Sequence, residues 1–226
     1  MRQEFIELLE SNLDHAENFK EKFDHVQDGQ DPDFVTVCCS DSRVLQDHMW
    51  GNEHPGEVFT CSNIGNRVFQ DMETGEAVSG DVLYPVAHTD TKTMVVVGHT
   101  SCGAVTATYK DLTEDINEPS GIRHCIDLIK DRLKDGVEKL PDDLDDSEAI
   151  NRLVEYNVDQ QVQFLRNSDE IPEDVDVIGA VYDFQNVYSG DRGQIHLINV
   201  NGENSVEKLK EENPEVSERF ERLWEP

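Results

Sequence analysis

Phe34-Val35-Thr36-Val37-Cys38-Cys39-Ser40-Asp41-Ser42-Arg43 opens as a short apolar, β-branched run, the pattern of a buried strand, and closes in a thiol, a carboxylate and a guanidinium. An open α/β sheet places its ligand outside the carboxyl ends of its strands, so reactive groups at this point mark a site as well as a fold. Met94-Val95-Val96-Val97-Gly98 repeats the plan and runs into His99-Thr100-Ser101-Cys102-Gly103. Cys39, His99 and Cys102 together offer two thiolates and one imidazole, with a close His-x-x-Cys pair and one distant partner. Three protein ligands of this kind suit a tetrahedral Zn2+, one per chain, with its fourth position open for chemistry.

Outward from these strands the chain alternates between the two periodicities. Residues 3–27 predict a helix, with Leu9, Leu13, Ala16, Phe19 and Phe23 forming one apolar stripe. It precedes the first strand and has no place in a βαβ unit, so an arm packing on another subunit is expected. A second strand at 58–61 enters the polar loop Ser62-Asn63-Ile64-Gly65-Asn66-Arg67. Residues 75–88 predict a helix despite Pro85, and another helix opens at Cys102-Gly103-Ala104-Val105. A helix at 121–133 and an acidic linker at 135–146 follow, then a long helix capped by Ser147, with Ile150, Leu153, Val154 and Phe164 on its core side. Strands are expected at 175–182 and 195–200, the last as an antiparallel edge, and the tail 205–224 as a helix broken near Pro214. The pattern predicts one α/β domain over 1–226, with an N-terminal helical arm (1–30), an α/β core with a mostly parallel sheet (31–203) and a C-terminal helix (204–226).

Composition bounds the partners. Forty-nine acidic residues against 19 basic ones leave a net charge of −30 on 226 residues. Nucleic acid and anionic membrane both need a basic surface, so neither is an expected partner. The acids interleave with periodic apolar segments, which predicts a folded protein coated in carboxylates, as suits concentrated salt where self-repulsion is screened. Five cysteines, an odd number, do not suggest a disulfide framework. There is no apolar signal core at the N-terminus and no run long enough to span a bilayer, so a cytoplasmic protein with reduced thiols is expected.

Cys38, Cys61 and Cys125 read as small apolar side chains. Asp41 and Arg43, two residues apart just past Cys39, have the spacing of a bidentate carboxylate–guanidinium pair. An unpaired carboxylate beside a metal would compete for the open coordination position, which gives this pair a purpose beyond a surface salt bridge.

Cys39-Ser40-Asp41-Ser42-Arg43 followed by His99-Thr100-Ser101-Cys102-Gly103 resembles the β-class carbonic anhydrases. The resemblance runs over about 34–200 and takes in Pro55-Gly56-Glu57-Val58-Phe59 and Asn63-Ile64-Gly65-Asn66. It implies a Rossmann-like sheet of four parallel strands plus one antiparallel edge strand, flanked by helices. It also implies a homodimer or dimer of dimers clasped by the N-terminal arm. By the same resemblance Cys39, His99 and Cys102 hold zinc, while Asp41, held by Arg43, orients the water-derived nucleophile that converts carbon dioxide to bicarbonate. The chain departs from many members at His54, where some carry glutamine that helps bind bicarbonate, and at Ser62, where many carry a basic residue. Phe59 and Ile64 are candidates to line an apolar substrate pocket, and His54 is a candidate proton shuttle. Rival readings are a zinc hydrolase of carbon disulfide or carbonyl sulfide on the same scaffold, and a non-catalytic zinc-binding regulator with Asp41 or a thiol closing the site.

Overall fold

The computed structural model describes residues 1–114 and 116–225. Its strands are β1 (Phe34–Cys39), β2 (Val58–Asn63), β3 (Phe69–Met72), β4 (Gly75–Val78), β5 (Thr93–His99), β6 (Asp176–Asp183) and β7 (Gln194–Val200). Its α-helices are α1 (Gln3–Phe19), α2 (Gln46–Met49), α3 (Gly80–His88), α4 (Gly103–Thr113), α5 (Ser120–Lys139), α6 (Asp146–Arg166) and α7 (Val206–Glu212). Five strands form the central sheet in the order β2-β1-β5-β6-β7; the first four are parallel and β7 is the antiparallel edge. The chain steps from β1 to β2 on one side and then returns across β1 to lay down β5 on the other. The crevice between the carboxyl ends of β1 and β5 is therefore a topological switch point, where open α/β sheets bind their ligands.

Both faces of the sheet are covered, which is why β1 and β5 read as continuous apolar runs rather than alternating ones. Val35, Val37, Cys39, Met94 and Val96 join the larger core, with Leu153, Val154, Val158 and Val162 of α6. Cys38, Val95 and Val97 join a smaller cluster under Met49 and Trp50. Strand alternation thus sends Cys38 and Cys39 to opposite faces. Helix α6 lies close against β5 and β6 because Gly98 and Gly179 give it room. A Cβ at Gly98 would stand 2.7 Å from Val154 Cγ1 and 2.8 Å from Val158 Cγ2; one at Gly179 would stand 2.8 Å from Val158 Cγ1.

Several elements differ from their sequence expectation. Residues 75–88 are not one helix: β3 and β4 pair as an antiparallel hairpin turning near Gly75 (φ 120°), and only Gly80–His88 is helical. Pro85 sits inside α3 and cannot donate to the Asp81 carbonyl, which instead accepts the Cys61 S–H at 3.2 Å. Helix α5 runs on into the expected acidic linker, taking its first five residues to end at Lys139, with Gly136 against the ring of Tyr156. The cap of α6 is Asp145, not Ser147: its carboxylate accepts from Glu148 N at 2.9 Å, and Glu148 reaches back to Asp145 N. The first helix ends at Phe19 and continues as a 3-10 segment over Lys20–Val26. After α7 and a 3-10 segment at Pro214–Arg219, residues 220–225 are not helical; Phe220 bridges Leu197, and buried Phe220 and Trp224 anchor this stretch to the core. No residue of α1 is buried; Phe5, Leu8, Leu9 and Leu13 are exposed. Among the described residues no helix is long and apolar enough to cross a membrane.

Gly98→Ala should lower stability by about 1–3 kcal/mol, because its methyl meets two valines of a tightly packed helix. A chemical denaturation midpoint equal to that of the parent would show instead that α6 can retreat at no cost.

Candidate metal centre

The switch-point crevice gathers the three donors. The Sγ atoms of Cys39 and Cys102 and a ring nitrogen of His99 lie within 4.8 Å of one another, and all three residues are buried. The two sulfurs are 3.9 Å apart. A tetrahedral ion with metal–sulfur bonds of about 2.3 Å would set its two sulfurs about 3.8 Å apart, so the spacing fits zinc. His99 carries a further signature. Its Nδ1 lies 3.0 Å from the Thr100 carbonyl, which can only accept, so Nδ1 carries the proton and Nε2 presents its lone pair. That Nε2 is buried and has no hydrogen-bond partner. An orphaned buried acceptor beside two thiols is the mark of a metal-binding imidazole. The donor set could therefore hold a metal.

Each donor is positioned by backbone that other side chains fix. Cys39 is the last residue of β1, and the Gly65 N–H, presented by the left-handed turn after β2 (φ 83°), donates to its sulfur. That turn is held from α6: Asn157 Nδ2 donates to Gly65 O at 3.2 Å and to Asn66 Oδ1 at 3.0 Å, while Gln161 accepts from Val68 N at 3.1 Å. His99 ends β5; Thr100, whose carbonyl orients the ring, is tied to Asp183 through its hydroxyl at 3.2 Å. Ser101 takes a left-handed conformation (φ 54°) and donates its N–H to Asn151 of α6 at 2.9 Å. This turn brings Cys102 back to the site as the cap of α4, where the N–H groups of Val105 and Ala104 face its sulfur.

The electrostatics of the two thiols diverge. The Cys102 S–H and the Gly65 N–H donate to Cys39, so its thiol is held well below its ordinary value. Cys102 moves up, because its proton is shared with Cys39 and because it is buried. Burial also raises the thiol of Cys38 on the other face and pushes Cys61 up to about 12.

Asp41 stands at the mouth of the crevice, its Oδ2 3.8 Å from His99 Nε2. Arg43 grips it at both oxygens, Nε to Oδ1 at 2.8 Å and an Nη to Oδ2 at 2.7 Å, and the Arg43 backbone N–H adds a third bond at 2.9 Å. These bonds hold the Asp41 carboxyl far below the usual carboxylate range and raise Arg43. The guanidinium is itself fixed by the Ser101 carbonyl at 3.2 Å and lies over the ring of Phe184, 4.5 Å from its centroid.

The structure thus brings together Cys39, His99, Cys102, Asp41 and Arg43. His54 instead lines a surface cavity with His15, Phe19 and His48. Ser62 accepts from Gln46 at 2.7 Å, Phe59 stacks on Tyr84, and Ile64 is 37% exposed. Sequence reasoning missed Phe184, Asp183, Asn151 and Asn157. None lies in a motif with a reactive neighbour; the polar stripe Asn151, Asn157 and Gln161 on an otherwise apolar helix face was the available signal.

An α/β protein with a mostly parallel sheet, a two-cysteine, one-histidine donor cluster at its switch point and a clamped carboxylate beside it defines a class of candidate metal site. The family model for carbonic anhydrase matches residues 34–190, and the chain belongs to that family. A carbonic anhydrase of Emericella nidulans is 36% identical over 141 residues, 61% of this chain and 57% of that protein. One of Helicobacter pylori strain J99 is 31% identical over 102 residues, 44% of this chain and 46% of that one. The chain spans about half the length of the curated relatives it matches. Among solved structures, a tetrameric β-carbonic anhydrase of Sordaria macrospora superposes with TM-score 0.73 at 25% identity, covering 88% of this chain and 98% of that one. A Coccomyxa β-carbonic anhydrase in complex with acetazolamide shares the fold at 23% identity and TM-score 0.69, covering 92% and 90%.

The thiol electrostatics predict selective chemistry. In folded protein stripped of metal, iodoacetamide at neutral pH should modify Cys39 before Cys38 or Cys61, because only Cys39 is driven toward thiolate. Peptide mass spectrometry over a time course reads the order; Cys38 reacting first would contradict it.

Proposed function

We propose that this chain is a zinc enzyme that reversibly hydrates carbon dioxide to bicarbonate and a proton, with Cys39, His99 and Cys102 as the zinc ligands. The observation that carries the reading is the Asp41–Arg43 pair: a carboxylate 3.8 Å from the orphaned His99 nitrogen, yet gripped at both oxygens by a guanidinium. A site meant to be closed by Asp41 would gain nothing from holding it back. Zinc bound by the triad would supply Lewis acidity and bring the pKa of water toward neutrality. The Arg43 clamp holds the Asp41 carboxyl far below the usual carboxylate range, so the carboxylate is set to accept a hydrogen bond from the attacking water and aim its lone pair. Arg43 neutralises the carboxylate and leaves its inner oxygen directed at the crevice. The Thr100 carbonyl keeps the His99 proton on Nδ1, and the Gly65 N–H tempers the charge on Cys39. The substrate is small and uncharged, and needs apolar walls rather than charged anchors.

The same reading extends to assembly and setting. The exposed apolar side chains Phe5, Leu8, Leu9 and Leu13 on α1 suit an arm laid on a second copy, in a homodimer or a dimer of dimers. The tetrameric Sordaria macrospora relative supports this. The charge of −30 suits a protein of concentrated salt, and reduced thiols at the zinc suit the cytoplasm.

Two experiments test these readings. Purified protein should contain one zinc per chain and hydrate carbon dioxide; Cys39→Ala, His99→Ala and Cys102→Ala should lose both metal and activity, and Cys38→Ala should keep its metal. Arg43→Ala should keep zinc but lose turnover, since the freed Asp41 carboxylate is itself a competent zinc ligand. Metal analysis with stopped-flow hydration assays reads each outcome; a zinc-loaded parent that does not turn over carbon dioxide would refute the activity. Separately, sedimentation should show the assembly weakening from molar to millimolar salt as like-charge repulsion is unscreened. An assembly indifferent to salt would mean the acidic surface is not tuned to the interface.

A further inference from the structure

We propose that Phe184 is a positioning residue, its ring holding the Arg43 guanidinium in the plane in which it clamps Asp41; the inference rests on the proposed roles of Asp41 and Arg43. The guanidinium's contacts in its own plane are hydrogen bonds, to both Asp41 oxygens and to the Ser101 carbonyl at 3.2 Å. Such bonds set its position within the plane but resist tilting out of it weakly. The face is covered by Phe184, whose ring centroid is 4.5 Å from Arg43 Cζ. The same ring stacks on the imidazole of His99, with centroids 5.6 Å apart and planes 27° from parallel. One side chain therefore touches both the proposed zinc ligand and the cation that restrains the neighbouring carboxylate. Its own backbone is tied by hydrogen bonds to the carboxylate before it. The Asp183 carboxylate accepts from the N–H groups of Gln185 at 2.9 Å, Val187 at 2.7 Å and Tyr188 at 3.0 Å, which curls the chain around Phe184. Tyr182 meets the ring edge-on at 5.9 Å and closes another side. Because the Arg43 side chain is 47% exposed, solvent competes for its hydrogen bonds, and the aromatic face supplies a restraint that water does not replace.

The test reads Arg43 directly, on the zinc-loaded full chain labelled with nitrogen-15 arginine. Exchange of the Arg43 Nε–H with water, measured by NMR, should speed up about fivefold in Phe184→Leu, equivalent to about 1 kcal/mol of lost cation–π contact. Phe184→Tyr, which keeps the aromatic face, should exchange as the parent does. The Nε–H of Arg222, which donates to the Trp224 carbonyl at 3.0 Å, is the internal reference and should not change. Should Phe184→Leu fail to fold, Phe184→Met keeps the bulk without the ring and carries the same expectation. Unchanged Arg43 exchange, or Arg43 and Arg222 speeding up together, would overturn the proposal, the latter by showing that the ring only stabilises the fold. The measurement needs no turnover, so it stands or falls apart from the carbon dioxide assay.

Discussion

Helix α6 is the element on which the site depends, because one of its faces does two incompatible things. Leu153, Val154, Val158 and Val162 seal the sheet, while Asn151, Glu155, Asn157 and Gln161 on the same helix are at most 3% exposed. Buried amides and carboxylates are costly unless bonded, so these four must find partners, and the loops at the carboxyl edge of the sheet provide them. Asn151 fixes the turn before Cys102, and Asn157 with Gln161 fixes the turn that faces Cys39. Glu155 accepts from Tyr188 Oη and from the N–H groups of Leu223 and Trp224, tying down the tail and the loop after β6. The donor cluster is organised in this sense by a helix that contributes no donor to it.

Much of this was legible in the chain. The strands were readable because both faces of a parallel sheet are buried, which leaves apolar runs bounded by turn residues. The donor set was readable because cysteine, histidine and a spaced Asp–Arg pair announce their chemistry by type. The hairpin of β3 and β4 was not, since Phe69–Met72 has one buried residue and Gly75–Val78 falls inside the stretch expected as a helix. The end of α5 was hidden by acidic residues that a solvated helix face tolerates as readily as a linker does. Asp145 outcompeted Ser147 as the cap because Glu148 lies three residues after it and completes a capping box, a spacing that the choice of Ser147 did not take into account.

The supporting residues were illegible for a different reason. Asn157, Asp183 and Phe184 act on atoms far from them in sequence, and only the topology brings them to the crevice. A glutamine on a core face or a phenylalanine after a strand carries no local mark of what it will touch. Such roles emerge when the crossing from β2 back over β1 has placed β5, and with it His99, beside Cys39.

The glycines under α6 have a consequence for how this chain can vary over evolutionary time. Position 98 faces Val154 and Val158, and position 179 faces Val158, at distances that leave no room for one further carbon. A methyl gained on the sheet must be matched by one lost from the helix, so these four positions should change together or not at all. The same helix carries Asn151 and Asn157, so any shift of its axis to accommodate a larger side chain would displace both loops of the donor cluster. Drift in the core is thereby coupled to the geometry of the site, and tolerance to substitution should be lowest where the sheet has no side chain.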